Sequence, residues 1–171
     1  MMTRRQRICA LFLGLGLSAA AEAQYVFRAD GLEMEIDGRG EIVRLAGPKG
    51  PRNLVPDGQS GHLVRIRSIA GAALVPTRVE GARDVMAFDF EGGVRLRVRA
   101  ARKPGYLRFE LVEAVRPERI DAVLWGPINT AIDETIGEVV GVVRDADLAI
   151  GLQTLNAKTC GGKLVNDEGT T

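Results

Sequence analysis

The reading of the fold turns on "VRLRVRAARKPGYLRFELVEAV", Val94 to Val115. On either side of "RKPG" (102–105) apolar and charged residues alternate, the two-residue period of a strand with one face in a core and one in water. Pro104 and Gly105 supply turn chemistry between the arms, so the stretch predicts an antiparallel hairpin. Aligning the apolar residues sets Val98 opposite Phe109, Leu96 opposite Leu111 and Ala100 opposite Leu107; a slip of one residue would turn all of them to the wrong face. The same alignment sets Arg97 opposite Glu110, a favourable pair, and Arg99 opposite Arg108, an unfavourable one. Arg95, Arg97 and Arg99 then form a basic stripe on the outer face. Guanidinium groups grip planar anions, so the stripe is a candidate site for acidic sugars or phosphate. Its competitor is an ordinary solvated strand face in an arginine-rich chain.

The same grammar extends outward. "LEMEI" (32–36) and "EIVRLA" (41–46) flank the turn signal "DGRG" (37–40), a second hairpin. "HLVRIRSI" (62–69), "LVPTRV" (74–79) and "VMAFDF" (85–90) are further β-prone runs, separated by "AGAA", "EGARD" and "EGG". "GPKGPRNLVPDGQSG" (47–61) is rich in glycine and proline and reads as a long loop. Nothing from Gln24 to Val115 sustains helical spacing. The expectation is an all-β protein, an antiparallel β-sandwich or barrel, over residues 24–160, with a mobile tail over 161–171.

The N-terminus assigns a compartment. "MMTRRQR" carries Arg4, Arg5 and Arg7, the apolar "ICALFLGLGLSAA" follows, and Ala21 and Ala23 fit the small-x-small rule of a signal peptidase. Residues 1–23 therefore read as a signal peptide cut after Ala23, or after Ala21. The apolar run is short of the roughly 20 residues that span a bilayer. The mature protein is expected to be periplasmic or secreted, with no membrane partner. Removing the signal takes Lys plus Arg from 23 to 20 and Asp plus Glu from 22 to 21, leaving a net charge of −1. That balance gives no support to a nucleic-acid partner. Cys9 leaves with the signal, so Cys160 stands alone and no internal disulfide is expected.

"WGPINTAIDETIGEVVGVVRDADLAIGLQTLN" (125–156) poses the catalytic question. "AVLW" (122–125) ends a strand, Gly126 and Pro127 turn the chain, and "IGEVVGVV", "RDAD" and "LAIGLQTL" form another hairpin. Asp133, Glu134 and Glu138 precede it, in a single helical turn if Thr130 or Asp133 acts as cap. Two carboxylates flanking a substrate in a cleft are what glycoside hydrolysis needs. Nearness in sequence does not create a cleft, and the alternative is the solvated side of a turn. His62 is the only histidine, which excludes a site of several His ligands and leaves Ser60, Ser68 or a threonine as its sole triad partners. No motif calls for a metal or cofactor. Trp125, Tyr25 and Tyr106 are either a sugar-stacking platform or core edges.

"YVFRADGLEMEIDGRGEIVRLAGPKGPRNLVPDG" (25–58), following a signal peptide, resembles the N-terminal β-sandwich ahead of the catalytic domain in exported bacterial carbohydrate-active enzymes of the glycoside hydrolase or polysaccharide lyase type. The stretch 125–156 is similar to a later strand pair of such sandwiches. The likeness covers about residues 24–160 and is one of pattern. It implies a module that packs on the catalytic domain and sometimes rims its cleft, the catalytic acids lying in a following domain that this chain does not include. The expected function is a non-catalytic accessory sandwich, with a glycan and a catalytic domain or partner chain as its partners. Trp125, Tyr106, Arg95, Arg97 and Arg99 are the substrate-binding candidates. One alternative is a stand-alone periplasmic β-protein that binds an apolar ligand or serves a structural role. Another is a small glycoside hydrolase using Asp133, Glu134 or Glu138.

Overall fold

A computed structural model describes residues 23–50, 52–82, 84–137 and 141–159. The chain is all-β, with every strand among the described residues pairing antiparallel and a sandwich-like arrangement of sheets. Residues 1–22 of the expected signal peptide, Glu138, Cys160 and the expected tail lie outside the described residues.

The first sheet runs β1 (Ala23–Ala29), β2 (Leu32–Asp37), β3 (Glu41–Ala46) and β4 (Gly61–His62) in that order. The second is ordered β10 (Tyr106–Val115), β9 (Arg95–Lys103), β8 (Val85–Asp89), β7 (Arg78–Ala82). A third is ordered β11 (Ile120–Trp125), β5 (Val64–Ser68), β6 (Ala73–Leu74), and a small fourth sheet joins β12 (Thr135–Ile136), β13 (Gly141–Arg144) and β14 (Ala149–Leu152). Alternation places Phe27, Ile36, Ile66, Met86, Phe88, Leu96 and Val98 in one shared core. The rings of Phe27 and Phe109 meet edge to face at 5.6 Å, which fixes β1 over the inner face of β10.

The outer face of the first sheet is polar and paired. Glu33 accepts from Arg44 at 2.9 Å and from Arg28 at 2.6 Å, and these guanidinium groups, Arg44 foremost, hold its carboxyl below the ordinary carboxylate value. "DGRG" is a turn, as its residues require. Buried Asp37 accepts through Oδ1 from the backbone N–H of Arg39 (2.9 Å) and of Glu41 (2.8 Å). The tip is also gripped from outside, because Val79 N–H donates to the Gly38 carbonyl and Leu63 N–H to the Gly40 carbonyl. Asp37→Ala removes two part-buried hydrogen bonds to a charged acceptor and is expected to cost about 1–3 kcal/mol. Asp37→Asn keeps an acceptor and should lose less. Urea unfolding of the two variants checks the order, and equal losses would mean that the side-chain acceptor is not what holds the turn.

The deciding hairpin forms, with a register two residues from the expected one. Val98 faces Leu111, Ala100 faces Phe109 and Arg102 faces Leu107. The loop is tighter than "RKPG": Lys103 pairs with Tyr106, leaving only Pro104 and Gly105 to turn, with Gly105 at φ +78°. A two-residue shift preserves which face each side chain takes, so the inside-outside pattern survives. A bulge between Leu111 and Glu113 then brings Leu96 opposite Ala114 and Arg97 opposite Glu113. Arg99 faces Glu110, and the expected clash with Arg108 does not arise.

No helical turn occurs at Thr130–Glu134. Ala131 N–H donates to the Leu54 carbonyl at 2.7 Å and Ile132 is buried in the core, which stretches this segment across the long loop. That loop has an anchor of its own in Asn53. Its Oδ1 accepts from the N–H of Leu45 and of Val55, and its Nδ2 donates to the Val43 carbonyl.

Candidate functional site

The register that orders the core also decides the fate of the arginine stripe. Arg95, Arg97 and Arg99 do share the outer face of β9, between buried Leu96, Val98 and Ala100. Each has an acid beside it. Arg95 donates through Nε and Nη2 to the two carboxylate oxygens of Asp89, at 2.5 and 2.8 Å, and Glu80 lies 3.7 Å from it. Arg97 donates to Glu113 at 2.9 Å, and Arg99 lies 3.6 Å from Glu110. Arg78 and Arg108 complete the pattern with Glu80 and Glu110. The surface is an alternating lattice of charge, and its field at any distance is small.

The aromatic candidates are separated by the fold. Tyr25 is a core residue whose hydroxyl donates to the Val79 carbonyl at 3.4 Å. Burial raises its phenol above the ordinary value. Trp125 closes β11 opposite Val64 and packs partly against the core. Tyr106 sits at the tip of the β9–β10 hairpin and is 46% exposed. The tip is tied down where the Gly105 N–H donates to Asp30 Oδ2 at 2.6 Å. The three rings therefore belong to different places in the structure: the core, the end of β11 and a hairpin tip.

Asp133 and Glu134 are both exposed, ahead of β12. Neither has a hydrogen-bonded or ionic partner among the described residues. A shallow open depression of about 160 Å³ lies elsewhere, lined by Val43, Asn53, Val55, Pro56, Asp57, Gly58 and Ser60. At its edge Ser60 Oγ donates to Glu41 Oε2 at 2.5 Å, and Glu41 Oε1 is 3.8 Å from His62 Nε2. The carboxylate thus stands between hydroxyl and imidazole. A nucleophilic triad needs the imidazole in the middle, taking the hydroxyl proton, so this order of groups does not activate Ser60.

His62 nonetheless titrates usefully. Burial pushes its imidazole below the ordinary value of 6.5, against the opposing pull of Glu41 and Asp37. As pH falls below 6.5 the unfolded chain takes up this proton before the folded one. Stability is therefore lost on acidification until the folded-state pKa is passed. The urea midpoint is expected to fall between about pH 7 and pH 5 in the native protein and to fall less in His62→Gln. Identical pH slopes would mean that the ring is solvated.

Two further guanidinium groups converge where the sequence reading did not look. Arg116 precedes, and Arg119 ends, a short 3-10 turn, Pro117–Arg119, between β10 and β11. Both donate through Nη1 to one carbonyl oxygen, that of Gly92, at 3.0 and 3.1 Å. The signal was present in "RPER" (116–119). Proline at the first position favours a tight turn, which keeps the residues at its two ends close together. Comparison with protein-family models, with curated proteins and with solved structures returns no match.

Proposed function

We propose that this chain is an exported, non-catalytic accessory β-sandwich of a carbohydrate-processing system, packing on a catalytic domain and contacting its glycan. The observation that carries the reading is the apolar face of the small fourth sheet, which is broader than its cover. Val143, Leu148 and Ile150 pack against the sandwich core. The strand register puts Ile136 beside Val143 and Ile150, and Leu152 follows Ile150 on the same face. Yet Ile136 is 62% and Leu152 51% exposed. An apolar face that continues beyond the body supporting it suits a second body.

Asp133 and Glu134 supply the charge beside Ile136. They fit a catalytic domain whose contact patch is apolar and flanked by Lys or Arg, with the acids at a polar rim. The paired outer faces of the sandwich and the shallowness of its depression favour a supporting role over chemistry of its own.

The test is isolation of the tagged protein from its own cell, alongside an Ile136→Asp/Leu152→Asp variant checked for folding by circular dichroism. Polysaccharide-degrading activity is expected to travel with the native protein and to be lost from the variant. Activity that resides in the purified chain alone, and that Glu134→Gln abolishes without unfolding it, would overturn the reading in favour of a small hydrolase.

A further inference from the structure

The arginine pair at the β10–β11 junction is set apart by its shared acceptor: Arg39, Arg102 and Arg144 are likewise exposed without an ion pair among the described residues, but only Arg116 and Arg119 donate to one and the same oxygen there. Arg28, Arg44, Arg67, Arg78, Arg97 and Arg99 each stand within ion-pair distance of an acid. Arg116 and Arg119 have no such partner among the described residues; Glu91 and Glu118 are close in sequence and exposed, and neither forms an ion pair with them. Their hydrogen bonds to one oxygen, 3.0 and 3.1 Å long, limit the separation of the two Nη1 atoms to at most the sum, 6.1 Å. Two like charges are thus held together by a neutral carbonyl, with the rest of each guanidinium fork unspent.

The backbone is shaped to seat them. Gly92 and Gly93 both have positive φ, and a Cβ on either would lie 3.2 Å from a guanidinium nitrogen, of Arg119 and Arg116 respectively. Arg116 itself adopts the left-handed region, φ 58° and ψ 51°, which a non-glycine residue occupies at a cost. The like-charge repulsion at this point is relieved by an anion that spans the two forks.

We propose that Arg116 and Arg119, seated on the Gly92 carbonyl, bind the oxyanion groups of an acidic polysaccharide, whether sulfate esters or uronic carboxylates. This inference rests on the accessory-module reading and names the class of glycan that the module contacts. It also moves the acidic-sugar site off the β9 stripe, where the charges are neutralised, to a pair whose charges are not.

Affinity electrophoresis and calorimetry of the full chain test it, with dextran sulfate, polygalacturonate, unsubstituted dextran and inorganic sulfate as probes. Binding to dextran sulfate or polygalacturonate, and not to dextran, is expected, the stronger of the two identifying the anion. Arg116→Ala/Arg119→Ala should weaken it by about tenfold or more. Arg97→Ala/Arg99→Ala, at exposed paired positions, should change it by no more than about twofold. Arg116→Lys/Arg119→Lys keeps the charge and the long stems but loses the planar fork, so it too should bind weakly, and it stands in if the alanine pair fails to fold. Native-like binding by the lysine pair would overturn the site as a geometric one. Inorganic sulfate that binds as tightly as either polymer would overturn the polysaccharide assignment. Absence of binding to either acidic polymer, while polysaccharide-degrading activity still travels with the protein, would remove this inference and leave the accessory role standing.

Discussion

Phe88→Ala is expected to lower the folding free energy by about 3–5 kcal/mol, the range for deleting a buried aromatic ring. Phe88 is fully buried, faces Val79 on one neighbouring strand and Leu96 on the other, and lies under the tip of the β2–β3 turn. A Cβ on Gly40 would stand 3.0 Å from its ring, so the turn rests directly on it. Gly40 has no side chain to move into the space that the ring leaves, and the flanking strands are held by their ladders. Phe88→Leu keeps most of the volume and should lose about 1.5 kcal/mol or less. Urea unfolding gives both values. A loss under about 1 kcal/mol for the alanine variant would mean that the first and second sheets do not pack on each other at this ring.

Gly61→Ala is the second large effect, for the opposite reason. Its Cβ would lie 2.0 Å from the carbonyl oxygen of Pro127 and 3.1 Å from the carbonyl carbon, so backbone must move away from backbone. The displaced segment carries the Asn129 amide bond to the Gln59 carbonyl, the Ala131 bond to Leu54 and the buried Ile132. Overpacking of this kind costs about 3 kcal/mol. Hydrogen exchange separates this local event from general unfolding: the Ala131 amide should lose protection before those of β8 and β9. Uniform loss of protection, or none, would show that residues 126–132 are not clamped at Gly61.

These two residues also mark how far the sequence could be read. Strand alternation around Phe88 and Leu96 is a local property, and it predicted the strands and their buried faces because every second residue must face the core. Register depended on the loop, and four residues of turn chemistry concealed a two-residue loop that moved the cross-strand partners by two positions, and by three beyond the bulge. The acids beside Arg97 and Arg99 follow from that register and from the bulge in β10, so the neutral character of the stripe was hidden in a long-range pairing. The contact of Gly61 with Pro127 spans distant parts of the chain and leaves no periodic trace. Arg116 and Arg119 were legible in principle, since "RPER" fixes their spacing. That they meet on the Gly92 carbonyl depends on how the β8–β9 connection lies beside the β10–β11 one, which no local pattern encodes.

The central claim, that the chain supports a catalytic partner and performs no chemistry alone, is most directly tested by the native mass of the protein taken from its own cell under non-denaturing conditions. The account predicts a particle heavier than residues 24–171 by at least a catalytic domain, joined covalently or bound, whose excess mass is lost or dissociates in the Ile136→Asp/Leu152→Asp variant if it is bound. A particle of residues 24–171 alone that releases reducing ends from a polysaccharide would contradict it.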